Sequence, residues 1–130
     1  METHIVLAED QEELRSIYAT ILRNEGYTVW EAAEGSEALE LIARHRPALL
    51  ILDVWMPVLN GFEVVDRLRD DRFASDMKVV MLSNLSDSDT RLEGFSVGVT
   101  DYWVKDLSLT QLLANVRRVL AETGVGQDAG

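Results

Sequence analysis

The sequence predicts an α/β fold, in which helices cover both faces of a five-stranded parallel sheet in a doubly wound, three-layer arrangement. Two observations support this fold class. Five short apolar runs of strand length alternate with five longer segments in which apolar residues recur every three or four positions. The apolar runs also lack the polar alternation of a half-exposed strand, so they suit strands that are buried on both faces, as in a parallel sheet.

The composition fits one globular domain and excludes several classes of function. The chain has 130 residues, which matches the commonest single-domain size. Its 12 basic and 23 acidic residues give a net charge of −11, which argues against direct binding to nucleic acid or to anionic membranes. The absence of cysteine excludes disulfides, zinc–thiolate sites and thiol nucleophiles. Because no apolar run reaches membrane-spanning length and no signal-like segment opens the chain, we expect a cytoplasmic protein.

The first apolar run, residues 5–8, predicts a buried strand that ends at the carboxylates of Glu9 and Asp10. The next segment has the apolar periodicity of a helix, with one face formed by Leu14, Ile17, Tyr18, Ile21 and Leu22. Gly26 is predicted to follow this helix in the left-handed conformation. The β-branched and aromatic residues 27–30 then predict the second strand.

The third strand is the most distinct element of the pattern. Residues 49–52 are four consecutive large apolar residues, and Pro47 and Pro57 limit the run to strand length. The run leads directly into Asp53, which we therefore place at the carboxyl end of a central strand, where ligand and catalytic sites of such sheets gather. The second helix opens at Gly35 and occupies the segment before this run.

The second half of the chain repeats the alternation. Residues 62–68 predict the third helix, and residues 77–82, with an apolar centre at 79–82, predict the fourth strand, which ends at Ser83. A fourth helix is predicted within residues 86–97, and the fifth strand is predicted at residues 102–104.

The last helix begins after Ser108, whose spacing to Gln111 is that of a capping box. Beyond this helix the sequence becomes polar and rich in glycine. We therefore expect residues 1–121 to form a single domain and residues 122–130 to form a flexible C-terminal tail.

Four of the predicted strands end in polar residues, which are Glu9-Asp10, Asp53, Ser83 and Lys105. The carboxyl ends of parallel strands lie along one edge, so residues far apart in sequence can converge there. Carboxylates held together repel each other unless a cation intervenes, and their hard oxygen atoms suit Mg²⁺. With a lysine to balance charge and a serine to donate a hydrogen bond, such a set suits phosphoryl transfer to a carboxylate.

These residues resemble the receiver domain of two-component response regulators. The motifs that carry the resemblance are Glu9-Asp10, Asp53 with Met56-Pro57 and Gly61, Ser83, and Gly98-x-x-Asp101-Tyr102-x-x-Lys105. The resemblance covers roughly residues 4 to 121, which is nearly the whole chain. It implies a flavodoxin-like (βα)5 fold with the strand order 2-1-3-4-5.

The resemblance also implies a role for each acidic residue of the set. Asp53 would accept a phosphoryl group, and the reaction would require Mg²⁺, with Mn²⁺ as the alternative ion. The metal would be bound by Asp10, by Asp53, by the backbone carbonyl of Trp55 and, through water, by Glu9.

For the remaining residues, the resemblance implies phosphoryl binding and switching. Ser83 and Lys105 would bind the phosphoryl oxygens, and Tyr102 would turn inward as Ser83 moves toward them.

The resemblance also implies partners. A sensor histidine kinase or a phosphotransfer protein would be the donor of the phosphoryl group. A downstream protein partner would bind the surface made by the predicted fourth helix, the fifth strand and the last helix. The sequence leaves open a homodimer through this face.

No output domain follows the last predicted helix, so we expect the chain to signal by partner binding or phosphorelay, unless it is the amino-terminal piece of a longer protein. We expect the chain to catalyse at most its own phosphorylation and dephosphorylation, so we do not predict an enzyme.

Three positions depart from the family pattern. Asp106 stands where a proline usually follows the active-site lysine through a cis bond, so we predict either a trans bond with a reshaped loop or a strained cis bond. Asn84 occupies a position that is usually small, where it would affect the entry of a phosphoryl group. Trp55 places a large side chain at the mouth of the site, where we expect it to limit access of water.

Three other functions are alternatives to this one. The first is a receiver-like interaction module that works without phosphorylation, since Asn84 and Asp106 alter the site. The second is a phosphohydrolase of the haloacid dehalogenase type, which also uses an aspartate nucleophile at a strand end. That family has a second aspartate two positions later, where this chain has Trp55. A flavodoxin-like FMN carrier is less favoured, because no hydroxyl- and glycine-rich phosphate loop follows the first strand.

Overall fold

The computed structural model describes residues 2–69, 76–83 and 99–122. Its strands are β1 (His4–Ala8), β2 (Thr28–Ala32), β3 (Leu49–Asp53), β4 (Lys78–Ser83) and β5 (Asp101–Val104). Its helices are α1 (Glu12–Asn24), α2 (Gly35–His45), α3 (Gly61–Leu68) and α4 (Leu109–Ala121). The strands form one parallel sheet in the order β2-β1-β3-β4-β5, so the predicted fold class and strand order are confirmed.

The last helix predicted from the sequence is α4, because the predicted fourth helix lies outside the described residues. Asn84 and residues 123–130 also lie outside them, whereas Glu122 is the C-cap of α4. In the part of the chain that the structure describes, no helix has both the length and the apolar character needed to cross a membrane.

The strand order reverses at β1, which pairs with β2 on one side and with β3 on the other. In the register of the sheet, Ala8 pairs with Leu52, and Asp53 pairs with Leu82. The carboxyl ends of β1, β3 and β4 are therefore level with one another. This register brings the residues that follow β1 to the same edge as Asp53 and Ser83, at the topological switch point of the sheet.

Two apolar cores lie on opposite faces of the sheet, and alternate residues of β3 belong to different cores. Leu49 and Ile51 pack on the side of α1 and α4, whereas Leu50 and Leu52 pack on the side of α2 and α3. Every residue of β3 is buried. The uninterrupted apolar run that predicts this strand therefore reflects a strand that is covered on both faces.

The helix termini follow the local signals in the sequence. Ser108 begins α4 with the predicted capping box to Gln111, and Asn60 begins α3 with a second capping box to Glu63. Gly26 follows α1 with a φ of +100°, as predicted for a left-handed residue after a helix. The capping box of Ser108 and the conformation of Gly26 are predicted because their signals are local in sequence, whereas the capping box of Asn60 is not predicted.

Gly61 opens α3 directly against the end of β3. Its amide donates a hydrogen bond of 2.8 Å to the carbonyl oxygen of Val54. A Cβ atom at this position would lie only 2.7 Å from the carbonyl oxygen of Asp53. Because that oxygen belongs to the backbone of a buried central strand, it has little freedom to move away. A residue without a side chain therefore allows the helix to begin beside Asp53.

We predict that Gly61→Ala lowers the free energy of unfolding by about 2–3 kcal/mol, because the new methyl group forces the backbone of β3 and α3 apart. Urea denaturation monitored by circular dichroism measures this change. Gly26→Ala is the matched control, since a Cβ there meets nothing within 4 Å and only the positive φ is strained, at a cost of about 1 kcal/mol. An equal loss for both variants would contradict the crowding at Gly61.

Candidate functional site

Three carboxylates meet at the carboxyl edge of the sheet, as the sequence predicts. Glu9 follows β1 directly, Asp10 is the next residue, and Asp53 ends β3. One carboxylate oxygen of each lies within 4.8 Å of those of the other two. The side chains of Glu9 and Asp53 are 0% and 1% exposed, whereas Asp10 is exposed. The cluster therefore has two buried members and one that faces the solvent.

The position of Glu9 is determined by contacts on its backbone and on its carboxylate. Its amide donates to the carbonyl oxygen of Ala32 at 3.0 Å, which continues the pairing of β1 with β2. Its Oε2 accepts a hydrogen bond of 3.0 Å from the amide of Gln11. Its carbonyl oxygen accepts a hydrogen bond of 2.8 Å from Nη1 of Arg15. These bonds orient the carboxylate toward Asp53.

Arg15 is a supporting residue that the sequence does not predict. Besides its bond to Glu9, its Nε atom lies 3.3 Å from Oε1 of Glu31 on β2. Arg15 therefore joins α1, β2 and the segment after β1. No local signal predicts this role, because an arginine on the first turns of a helix is ordinarily a solvated residue.

Asp53 is held at the end of β3 by hydrogen bonds from the two amides that follow it. The amide of Val54 donates to the carbonyl oxygen of Leu82 at 3.0 Å, and the amide of Trp55 donates to Oδ1 of Asp53 at 3.2 Å. Its Oδ2 is buried and accepts no hydrogen bond from the described residues. A buried carboxylate oxygen without a donor is a position where a cation can bind favourably.

Lys105 reaches the cluster from the position directly after β5. Its Nζ atom lies 3.1 Å from Oε1 of Glu9 and 3.1 Å from Oδ1 of Asp53. Burial disfavours the charged form of Lys105, but the carboxylates of Asp53 and then Glu9 outweigh this effect and raise its pKa above the ordinary value. The ammonium group therefore stays charged between the two buried carboxylates.

The structure resolves the alternatives left by Asp106. None of the peptide bonds in the described residues is cis, so Lys105 and Asp106 are joined by a trans bond. The amide of Lys105 donates to the carbonyl oxygen of Ser83 at 2.8 Å, which aligns the lysine with the end of β4. The trans bond is thus compatible with a lysine that contacts Asp53.

The remaining predicted residues lie close to this edge or on the strands that form it. Ser83 is 2% exposed and pairs with Val104 at the carboxyl end of the sheet. Tyr102 is 5% exposed and pairs with Met81 on β4, so its side chain already lies inward, whereas the resemblance implies an inward turn on phosphorylation. Asn84 lies outside the described residues.

Trp55 stands at the mouth of the site. Its side chain is 50% exposed, and its ring meets that of Phe62 edge-to-face, with the centroids 6.2 Å apart. An aromatic contact of this geometry is favourable and limits the freedom of the indole. Trp55 is therefore a large, partly ordered side chain two residues from Asp53.

The surroundings of Asp53 raise the pKa of its carboxyl group. Burial is the main cause, the negative charge of Glu9 the second, and the neighbouring carboxyl group of Asp10 the third; together they raise its pKa from 3.8 to about 8. Lys105 opposes this shift without cancelling it.

A cation that binds Glu9, Asp10 and Asp53 would relieve their repulsion, and three carboxylates are oxygen donors of the type that Mg²⁺ prefers. The residues present therefore fit a magnesium ion.

The raised pKa of Asp53 gives a prediction about stability in metal-free buffer. Between about pH 4 and pH 8 the folded protein retains a proton on Asp53 that the unfolded chain has released, so this group lowers stability as the pH rises. Asp53→Asn should remove the effect and, near pH 8, raise the free energy of unfolding relative to the unmodified protein by about 1–2 kcal/mol.

Urea denaturation in the presence of EDTA, repeated across this pH range, measures the difference. Asp66→Asn is the control, because this substitution removes the same charge from a side chain that is 71% exposed. If the difference between Asp53→Asn and the unmodified protein did not grow with pH, the assignment of a raised pKa to Asp53 would be wrong.

Comparisons with known proteins agree with this geometry. A family model for the response regulator receiver domain matches residues 5–117. The chain is 40% identical over 116 residues to the "Probable transcriptional regulator ycf27" of Porphyridium aerugineum, an alignment that covers 89% of this chain and 47% of that protein. It is 37% identical over 128 residues to the response regulator MprA of Mycobacterium ulcerans, covering 98% and 54%. The chain thus spans about half the length of these curated relatives.

Solved structures show the same similarity. The chemotaxis response regulator CheY4 of Vibrio cholerae matches with a TM-score of 0.86 and 31% identity, over 92% of this chain and 99% of that one. The receiver domain of NtrX from Brucella abortus matches with a TM-score of 0.84 and 26% identity, again over 92% and 99%. Sequence, fold and site agree, and the chain belongs to the response regulator receiver domain family of two-component signalling.

Proposed function

We propose that this chain is a phosphate-accepting receiver, in which Asp53 takes a phosphoryl group from a sensor histidine kinase or a phosphotransfer protein. One observation carries the proposal. The buried carboxylate of Asp53 lies 3.1 Å from the ammonium of Lys105, and a carboxylate oxygen of Glu9 and one of Asp10 lie within 4.8 Å of its own. A nucleophile, a fixed cation and a cation-binding pair are the groups that phosphoryl transfer to a carboxylate requires.

In the proposed reaction, a carboxylate oxygen of Asp53 forms a bond to phosphorus as the bond between phosphorus and the donor breaks. Lys105 is already in place, so its ammonium would bind a phosphoryl oxygen without a large movement of the backbone. The hydroxyl of Ser83, at the end of β4, would donate to a second oxygen. The backbone contacts of Asp53 and Lys105 would keep both groups oriented during the transfer.

A divalent cation completes this proposal. Mg²⁺, or Mn²⁺ in its place, would be held by Asp10, Asp53, the carbonyl of Trp55 and, through water, Glu9. When bound, it would supply the positive charge that favours the ionised form of Asp53 and stabilises the oxygens in transfer.

We further propose that phosphorylation changes the surface around β5. Ser83 and Tyr102 would be the switch residues, and their strands are adjacent in the sheet. Movement of Ser83 toward the phosphoryl group would alter the space beside Tyr102, which now lies inward. A downstream protein, or a second copy of the chain, would bind the face formed by β5, α4 and the predicted fourth helix. The chain would act as a signalling module in this scheme, and not as an enzyme with turnover.

Acetyl phosphate provides a direct test of the phosphoryl acceptor. With Mg²⁺ present, the unmodified protein should gain the mass of one phosphoryl group, and Asp53→Asn should gain none; intact-protein mass spectrometry measures both. Chelation of the metal should slow the reaction about a hundredfold or more. An unmodified protein that gains no mass would favour an interaction module that works without phosphorylation. A gain that persists in Asp53→Asn would place the acceptor elsewhere.

Trp55 should affect how long the phosphoryl group remains. We propose that its half-exposed indole limits the approach of water to Asp53, so Trp55→Ala should speed dephosphorylation about three- to tenfold. The decay of the phosphorylated mass after removal of the donor measures the rate. Val58→Ala is the control, because Val58 is an apolar residue of the same loop with 90% exposure. Equal decay rates for Trp55→Ala and the unmodified protein would refute this role.

A further inference from the structure

Tyr18 lies in α1, far from Lys105 in the sequence, but the two residues are in contact in the fold. Its side chain is 2% exposed and belongs to the core between α1, α4 and the sheet. Its hydroxyl group donates a hydrogen bond of 3.3 Å to the backbone carbonyl oxygen of Lys105, which is 87 residues away. The contact therefore joins the buried face of α1 to the residue that reaches Asp53.

Packing alone does not account for a tyrosine at this position. A phenylalanine would fill the same space, whereas a buried hydroxyl group is unfavourable unless it finds a hydrogen-bond partner. Burial, then the charge of Glu9, raises the pKa of Tyr18, so the phenol keeps its proton at neutral pH and can act as a donor. The carbonyl oxygen of Lys105 is the acceptor that it contacts.

With this bond, the backbone of Lys105 is held on both sides. Its amide donates to the carbonyl oxygen of Ser83 at 2.8 Å, and its carbonyl oxygen accepts from Tyr18. Lys105 directly follows β5 and is followed by Asp106. Two bonds to different elements limit rotation of this residue and therefore the directions in which its long side chain can extend.

We propose that Tyr18 is a positioning residue for the phosphoryl acceptor site, in which its hydroxyl group holds the carbonyl of Lys105 so that the ammonium lies between Glu9 and Asp53. The inference rests on the proposed phosphoryl transfer to Asp53. Tyr18 touches none of the reacting groups and acts only through Lys105. It gives the backbone of Lys105 a hydrogen bond directly before Asp106.

The test is a double-mutant cycle on the rate of phosphorylation by acetyl phosphate with saturating Mg²⁺. Tyr18→Phe removes only the hydroxyl group and should lower the rate about three- to tenfold, the effect expected from one neutral hydrogen bond. In a Lys105→Ala background the same change should have no effect, because the residue that it positions is gone. Tyr27→Phe, which removes a hydroxyl group from a partly buried tyrosine of the same core, should leave the rate unchanged.

Two outcomes of the cycle would overturn the positioning role. One is an equal rate for Tyr18→Phe and the unmodified protein, and the other is an equal loss with and without Lys105. Failure of the unmodified protein to be phosphorylated at all would instead overturn the proposed function, and the role of Tyr18 with it.

A second measurement needs neither metal nor phosphoryl donor. In metal-free protein, Tyr18→Phe should shift the carbonyl carbon resonance of Lys105 in the NMR spectrum, since that resonance responds to the hydrogen bond that the carbonyl accepts. Tyr27→Phe should leave it in place. A resonance of Lys105 that is unchanged by Tyr18→Phe would refute the hydrogen bond itself and would decide the question even if Lys105→Ala reacts too slowly to be measured.

Discussion

The contact between one ammonium group and two buried carboxylates determines the character of the site. Glu9 and Asp53 are removed from water at the edge of the sheet, and Lys105 lies 3.1 Å from each. Buried charges are strongly unfavourable without a partner, so the ionised forms of both carboxyl groups depend on this lysine. One positive charge for two carboxylates, with Asp10 beside them, still leaves a negative surplus. That surplus contributes, after burial, to the raised pKa of Asp53, and it makes the edge favourable for a divalent cation.

The sheet holds these groups in place mainly through its main chain. Pairing of Asp53 with Leu82 fixes the end of β3, and the amide of Lys105 is bonded to the carbonyl of Ser83 at the end of β4. Glu9 continues the pairing of β1 with β2 and is supported by Arg15. Groups that are held before the reaction need little reorganisation during it, which is the main way in which a protein can favour phosphoryl transfer.

Two further features lie beside the charged groups of the site. Trp55 keeps half of its side chain exposed beside Asp53, and Asp106 follows the lysine through a trans bond. The hydroxyl group of Tyr18 donates to the carbonyl oxygen of Lys105, which belongs to the peptide bond that joins Lys105 to Asp106. In the phosphoryl transfer that we propose for Asp53, these residues would affect access to its carboxylate and the support of Lys105 without changing the reacting groups.

The sequence by itself determined the strands, the described helices and the residues at the edge of the sheet. Apolar run length, helical periodicity and the capping pair of Ser108 and Gln111 are local properties, and polar residues that follow buried strands must lie at one edge of a parallel sheet. The tertiary structure alone decided that Lys105 lies between two carboxylates, that Arg15 supports Glu9 and that Tyr18 reaches Lys105. These contacts depend on the strand register and on how α1 packs against the sheet. Neither can be predicted from the residues that lie near each position in the sequence.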